Sequence, residues 1–233
     1  MLHILKTLFK GRASAGKTVS APDVTALQTP SFHPKDILEL TDSFDLPILL
    51  RGQTFTIMGA HTFQFEDWNK TEFLLSSAQG IKVEMTVDES EGDVFFGFFR
   101  TISKSEVEKL FDLDEFSRIF DEIGELTIQP KIQEVDFTNE WFGWIDASYH
   151  RIFNQVRGSF YATASYEKAP YEKDNRNLVI PSFTNEGEAF DYYYLESDNQ
   201  KSAIEIDVYP SGRTEVRLVC FLGASVFKSI WHA

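Results

Sequence analysis

The chain reads as an α+β protein, mainly antiparallel β, in which two related β-rich units are joined by a helical segment and preceded by an amphipathic helix. Three observations predict this class. In residues 190–222, Ile204, Ile206 and Val208 alternate with Glu205, Asp207 and Tyr209, and Val216, Leu218 and Cys220 continue the two-residue period. Polar turns at 197–200 and at Pro210-Ser211-Gly212 make this a three-stranded meander. Moved back by 121 positions, the same stretch falls without a gap on residues 72–90, pairing Leu74 with Leu195, Ser76 with Ser197, Gln79 with Gln200, Glu84 with Glu205, Val87 with Val208 and Ser90 with Ser211. Such self-similarity predicts an internal repeat. Finally, Ser103 and Glu106 form an S-x-x-E capping box ahead of Val107, Leu110 and Phe111, and Phe116, Ile119, Phe120 and Ile123 follow at helical spacing up to Gly124. The expected organisation is a leader and linker over 1–30, a first β-rich unit over 31–102, a helical connector over 103–125 and a second β-rich unit over 126–233.

The leader places Met1, Ile4, Leu5, Leu8 and Phe9 on one helical face, with Lys6, Lys10 and Arg12 towards the polar side. Such a helix either lies in an anionic membrane surface or docks onto a partner or onto its own body. The candidate contact residues are Leu2, Ile4, Leu5, Lys6, Leu8, Phe9 and Lys10. Lys6 interrupts the apolar stretch, so it does not read as a secretory signal. Next, GRASAGKT at 11–18 matches the phosphate-loop pattern to the letter. That loop functions only between a buried strand and a helix, whereas here a Thr/Ser/Pro-rich tether follows, so no nucleotide site is expected.

The folded body is expected to begin at Asp36, with short strands at 48–50, 55–58 and 62–65. VFFGFF at 94–99 is apolar on both phases, as a strand covered on both faces would be, and the helical connector is the expected cover. Strands are also expected at 128–135 and 159–165, a short helix or turn at 141–151, and a strand or docking helix at the C-terminal SVFKSIWHA. Two readings compete for Trp141, Trp144 and Asp146, and for Trp68 and Glu72. They are core anchors, or they form an aromatic and acidic surface that attracts an ammonium ligand.

Composition narrows the function. The 36 acidic against 22 basic residues give a net charge of -14, and the basic leader leaves the body more acidic still. Phosphate contacts need clustered Lys and Arg, so nucleic acid is excluded as a partner. The 22 phenylalanines suit thick β packing. A single cysteine, Cys220, on the apolar phase of its strand, argues for a buried inert thiol and a reducing, cytoplasmic compartment, with the inner-membrane surface open to the leader. His3, His33, His61, His150 and His232 are scattered, so neither a metal nor a cofactor is expected. Glu84 and Glu205 lie on the polar phase of their strands, as residues of a solvated face would. No nucleophile elbow or zinc-protease motif occurs, and the chain reads as a non-enzyme.

Three features resemble an uncharacterised bacterial family, the domain of unknown function 4178. They are the leader ending in LFKG at 8–11, the W-x-x-x-E-F-x-L of Trp68 to Leu75, and FDYYYLESDNQKSAIEIDVYPSG ahead of Gly223 to Val226. The tryptophan that often follows the family's first hairpin turn is absent, where this chain reads GIKV. The resemblance implies a β-rich, non-enzymatic protein found beside membrane-stress proteins similar to phage-shock protein A and beside polyamine-synthesis enzymes. Three functions stay open: an adaptor that binds a protein partner, an immunity-type inhibitor whose acidic surface masks a basic toxin, and a sensor of polyamines or other cations.

Overall fold

The computed structural model describes residues 31–90, 93–121, 124–132, 138–162 and 187–233, and the leader and phosphate-loop match lie outside these. Its strands are β1 (Ile37–Leu40), β2 (Thr54–Phe65), β3 (Asn69–Ser77), β4 (Lys82–Ser90), β5 (Asp93–Ile102), β6 (Thr127–Ile128), β7 (Tyr149–Ala162), β8 (Glu188–Ser197), β9 (Ser202–Val208), β10 (Thr214–Gly223) and β11 (Phe227–Trp231). Two short helices, α1 (Lys104–Leu110) and α2 (Leu113–Asp121), follow β5. The strand order is β11-β1-β2-β3-β4-β5-β10-β9-β8-β7-β6, and β2 also pairs with β7. Eight strands, β2 to β5 and β10 back to β7, therefore close into an antiparallel barrel, which removes the exposed edges of its own strands.

Closure depends on β2 changing partner. Its first residues, Thr54 to Thr56, pair with β1, and His61 to Phe65 pair with β7. A bulge between Ile57 and Gly59 separates the two regions and bends the strand from one neighbour to the other. At the seam, Gly158 of β7 lies under two rings. A Cβ there would sit 2.5 Å from Phe190 Cζ and 3.1 Å from Phe65 Cε1.

This architecture corrects the expected fold class. The molecule is mainly β and forms one barrel, not two repeated units joined by a helical segment, because β5 pairs with β10 and β2 with β7. The gapless repeat also fails in register. The hairpin turns match as Ser77 with Ser197, since Gly80 N–H donates to Ser77 O and Gln200 N–H to Ser197 O, while Val83 of β4 corresponds in pairing to Ile204 of β9. The second hairpin thus carries one more loop residue, and the gapless alignment sets Phe73 on Tyr194, which belong to different packing clusters. A slip of one residue turns every side chain to the opposite face. The identities reflect what two hairpins of similar turn chemistry share.

Element by element, the meander of β8, β9 and β10 stands as expected, as does the helix start, where Ser103 and Glu106 form a reciprocal capping box. The separate strands expected at 55–58 and 62–65 are one strand, β2, and residues 48–50 lie in turns before it. The segment at 141–144 is a turn, while Tyr149 already begins β7. The C-terminal segment forms a strand, β11.

Both faces of the barrel wall are buried at β5, as the VFFGFF run required, whereas β7 is largely half-exposed. The outer face carries Phe73, Leu75, Val83, Met85, Phe96, Phe98, Ile204, Ile206, Leu218 and Cys220. Helices α1 and α2 cover part of it through Val107, Leu110, Phe116 and Ile119, with Phe120 edge-on to Tyr193. Phe32 and Phe227 cover another part, the Phe32 ring meeting Phe73 and Phe96 and the Phe227 ring meeting Phe96. Arg151 of β7 donates to the carbonyls of Ile119 and Gly124, supplying cationic partners to the C-terminal end of α2. Burial pushes the Cys220 thiol well up, in keeping with an inert core position.

Candidate functional site

The alternate positions of the same strands point into the barrel, and there the polar phase is not solvated. Glu205 is 4 % exposed, Asp207 0 % and Glu72 1 %, and Glu84 is half-buried beside them. Ion pairs cross the interior. Lys70 Nζ of β3 lies 2.6 Å from Glu205 Oε2 on β9 and 2.8 Å from Glu72 Oε1. Arg217 of β10 donates to Glu72 Oε2 at 2.6 Å, to Glu205 Oε2 at 3.1 Å and to Asp207 Oδ2 at 2.7 Å. Glu72 and Glu205 therefore each bridge both cations. Aromatic faces complete the lining: Lys70 lies over Phe63, Phe99 and Tyr192, and Arg217 over Phe63 and Phe99. A ring face attracts a desolvated cation and offsets part of the cost of removing it from water.

Acid is in excess in this lumen. Burial lowers the charged form of Lys70, yet Glu205 and Glu72 outweigh it and hold the ammonium above its ordinary value. Burial raises Glu72, but Arg217 and Lys70 more than offset it and keep that carboxylate low. Asp207 is pushed up to about 6 by burial, against the pull of Arg217 and Lys70. Glu84 is pushed up to about 7 by burial and by the charge of Glu72. Asp88 and Glu196 are raised by burial in the same way. Asp207 Oδ1, Glu84 Oε2 and Arg217 Nε have no hydrogen-bond partner among the described residues. Chemically, the network ties β3 to the opposite wall, and burial shifts Asp207 and Glu84 towards their protonated forms.

The expected ligand surface is split between the two faces. Glu72 is a central member of the lumen network, and Trp68 stacks on Phe65 at 3.7 Å near the same interior. Trp141 and Trp144 belong to the outer core instead. Trp144 is fully buried, and the Trp141 ring already carries the Arg100 guanidinium at 4.1 Å. Asp146, half-exposed, accepts a bond from Ala147 N–H, and its own N–H donates to Tyr149 Oη. Burial pushes the Tyr149 hydroxyl up to about 12, keeping it a hydrogen-bonding group. The membrane- and partner-contact candidates from Leu2 to Lys10 lie outside the described residues.

Lys70, Arg217 and Asp207 were missed as site residues. The available signal was charge of both signs interleaved with apolar residues, in IEIDV and TEVRL, beside a run that had to be covered on both faces.

A second surface is exposed. β11 is the terminal strand of the sheet and pairs only with β1 among the described strands. Trp231 sits opposite Ile37, which sits opposite Thr56 of β2, with Met58 two residues further along. Trp231 is 48 % exposed, Ile37 37 % and Met58 59 %. Lys228, paired with Glu39 at 2.6 Å, ends this row. No described helix is long and apolar enough to cross a membrane.

No protein-family model matches this chain, and no curated protein or solved structure shows detectable similarity to it.

Proposed function

We propose that the protein is a non-enzymatic adaptor that binds an extended, basic segment of a partner protein along the outer edge of β11. One observation carries this reading: an edge strand that pairs on one side only among the described strands, flanked by the exposed row Trp231, Ile37 and Met58. An added strand would satisfy the edge N–H and C=O groups, and Trp231, at the edge of the exposed apolar row, would pack against a partner side chain on the same face. Natural sheets usually blunt such edges, and here the short length of β11, the bulge opposite Glu39 and Leu40 and Lys228 do so in part, leaving Trp231 exposed. The partner is basic because this chain carries 36 acidic against 22 basic residues. The lumen, whose cations Lys70 and Arg217 are both engaged by its carboxylates, serves as the core of the scaffold. The leader, residues 1–18, supplies a second contact, to the same partner or to the membrane surface.

The test is affinity capture from native cells with the full-length chain and with Trp231→Glu and Met58→Glu, followed by amide exchange on the purified complex. The expected result is a basic partner whose capture falls at least about tenfold in Trp231→Glu, consistent with loss of a central aromatic anchor. Exchange at residues 227–231 should slow in the complex. A partner held equally by both variants, with β11 exchange unchanged, would move the contact to the acidic surface and favour the inhibitor reading.

A further inference from the structure

At the foot of β1, the chain's first and last described segments meet. Asp36, 1 % exposed, places Oδ2 2.9 Å from His232 Nδ1 and 4.0 Å from His33 Nδ1, and the ligand atoms of all three residues lie within 4.8 Å of one another. We propose that His33, Asp36 and His232 form a binding site for a borderline transition-metal ion of the Zn²⁺ class, clamping the end of β11 to the turn that enters β1.

The carboxylate is built in advance of any ion. His33 N–H donates to Oδ2 at 2.9 Å and Ala233 N–H to Oδ1 at 3.0 Å, so two backbone donors fix the orientation of the group. Outer donors of this kind orient ligands at metal centres. The turn is also held in a costly shape. Asp36 N–H closes it on His33 O at 3.1 Å, Pro34 takes its first central position, and Lys35 takes the second with φ +77°. That second position normally goes to Gly or Asn, because a Cβ is strained in the left-handed conformation. Lys35 N–H is anchored on Ile57 O at 2.8 Å, which keeps the turn in this form and His33 beside Asp36.

The geometry needs little adjustment. Tetrahedral bonds of about 2.0–2.1 Å place ligand atoms about 3.4 Å apart. Both imidazoles are more than half exposed, His33 at 56 % and His232 at 59 %, so rotation about their side-chain torsions can bring them there. Two ring nitrogens and one carboxylate suit Zn²⁺, Co²⁺ or Ni²⁺ and not Ca²⁺ or Mg²⁺, which take all-oxygen shells. Three protein ligands leave a fourth position for water or for a group from a partner. The site was invisible in the sequence because His33 and His232 lie at opposite ends of the chain.

The experiment uses the full chain, stripped with a chelator and titrated with Co²⁺ and then with Zn²⁺ in competition. The expected result is the intense visible absorption of tetrahedral Co²⁺, displaced by Zn²⁺, together with a rise in melting temperature on Zn²⁺ addition. His33→Ala and His232→Ala alter exposed side chains and should each weaken Zn²⁺ binding at least about tenfold, as should Asp36→Asn. His150→Ala, at another exposed histidine, should leave the affinity unchanged. Only the weak spectrum of solvated Co²⁺, or equal Zn²⁺ affinity in a His33→Ala/His232→Ala double variant, would overturn the proposal and reduce the cluster to a hydrogen-bonded clasp.

Discussion

Replacing Arg217 by methionine should take away much of the barrel's stability, and by an amount that depends on pH. The guanidinium makes bonds of 2.6, 3.1 and 2.7 Å to Glu72, Glu205 and Asp207. Methionine keeps most of the stem volume, so the loss is chiefly electrostatic. It leaves Lys70 as the remaining cation of this network against three buried carboxylates. Breaking one partner out of a buried pair costs about 3–5 kcal/mol, against a total of about 5–15 kcal/mol for a typical domain. Urea unfolding followed by tryptophan fluorescence should therefore show a midpoint lowered by more than about 1 M. The sign with pH follows from the folded state. Burial already raises Asp207 to about 6 against the pull of Arg217, so without the guanidinium it rises further, and a raised carboxyl favours folding below its unfolded pKa and loses that contribution as pH rises through the folded one. In the wild type Glu72 is held low, so its contribution is present above the unfolded pKa and fades as pH falls. The raised Asp207 makes the deficit smaller as pH falls from neutral towards about pH 5, and the loss of the Glu72 contribution reduces it further only below its ordinary 4.5. Adding Asp207→Asn to Arg217→Met should restore part of the loss, since the two residues share one network. A deficit below about 1 kcal/mol, or one that widens in acid, would refute the assignment of the lumen as a coupled ionic core.

Two further outcomes follow from the same wall. Glu84 is pushed from an ordinary 4.5 to about 7, so its stabilising contribution is full below about 4.5 and lost as pH rises through about 7. Glu84→Gln should then stabilise the protein by about 1–3 kcal/mol at about pH 8 and by little at about pH 4; a destabilised variant at the higher pH would show that the anion is well bonded. Gly158→Ala would place a Cβ 2.5 Å from Phe190 Cζ, and overpacking of this kind costs about 1–3 kcal/mol. Its melting temperature should drop by several degrees, about 2–8 °C for a domain of this size, and an unchanged value would mean that the rings yield freely.

The capping box at Ser103 and Glu106, the turn at Pro210-Ser211-Gly212 and the period-two runs of β8 to β10 were legible because each is settled by near neighbours in the chain. β2 was not, since Gly59 reads as a break and the bulge there is tolerated only because β3 and β7 hold the strand on both sides. Trp141 and Trp144 were recognised as anchors or ligand contacts, but the guanidinium that occupies the face of Trp141 comes from Arg100, forty-one positions away. Two hairpins with similar turns passed for a repeat because identity at alternate positions carries no record of the one-residue loop difference.

By itself the sequence determined that this protein is built of β-strands, with one stretch, β5, buried on both sides, whereas the cover over that stretch comes from Phe32 and Phe227 and not from the helices. Those properties rest on local propensity and on periods of two and of three to four residues. Only the tertiary structure decided that the strands close into one barrel, because closure is a pairing of β2 with β7 across almost a hundred residues. It also decided which phase of each strand faces the lumen. Alternation distinguishes two faces but does not say which meets water, and where both are buried the charged face is committed to partners on distant strands: Lys70 to Glu205, and Arg217 to Glu72.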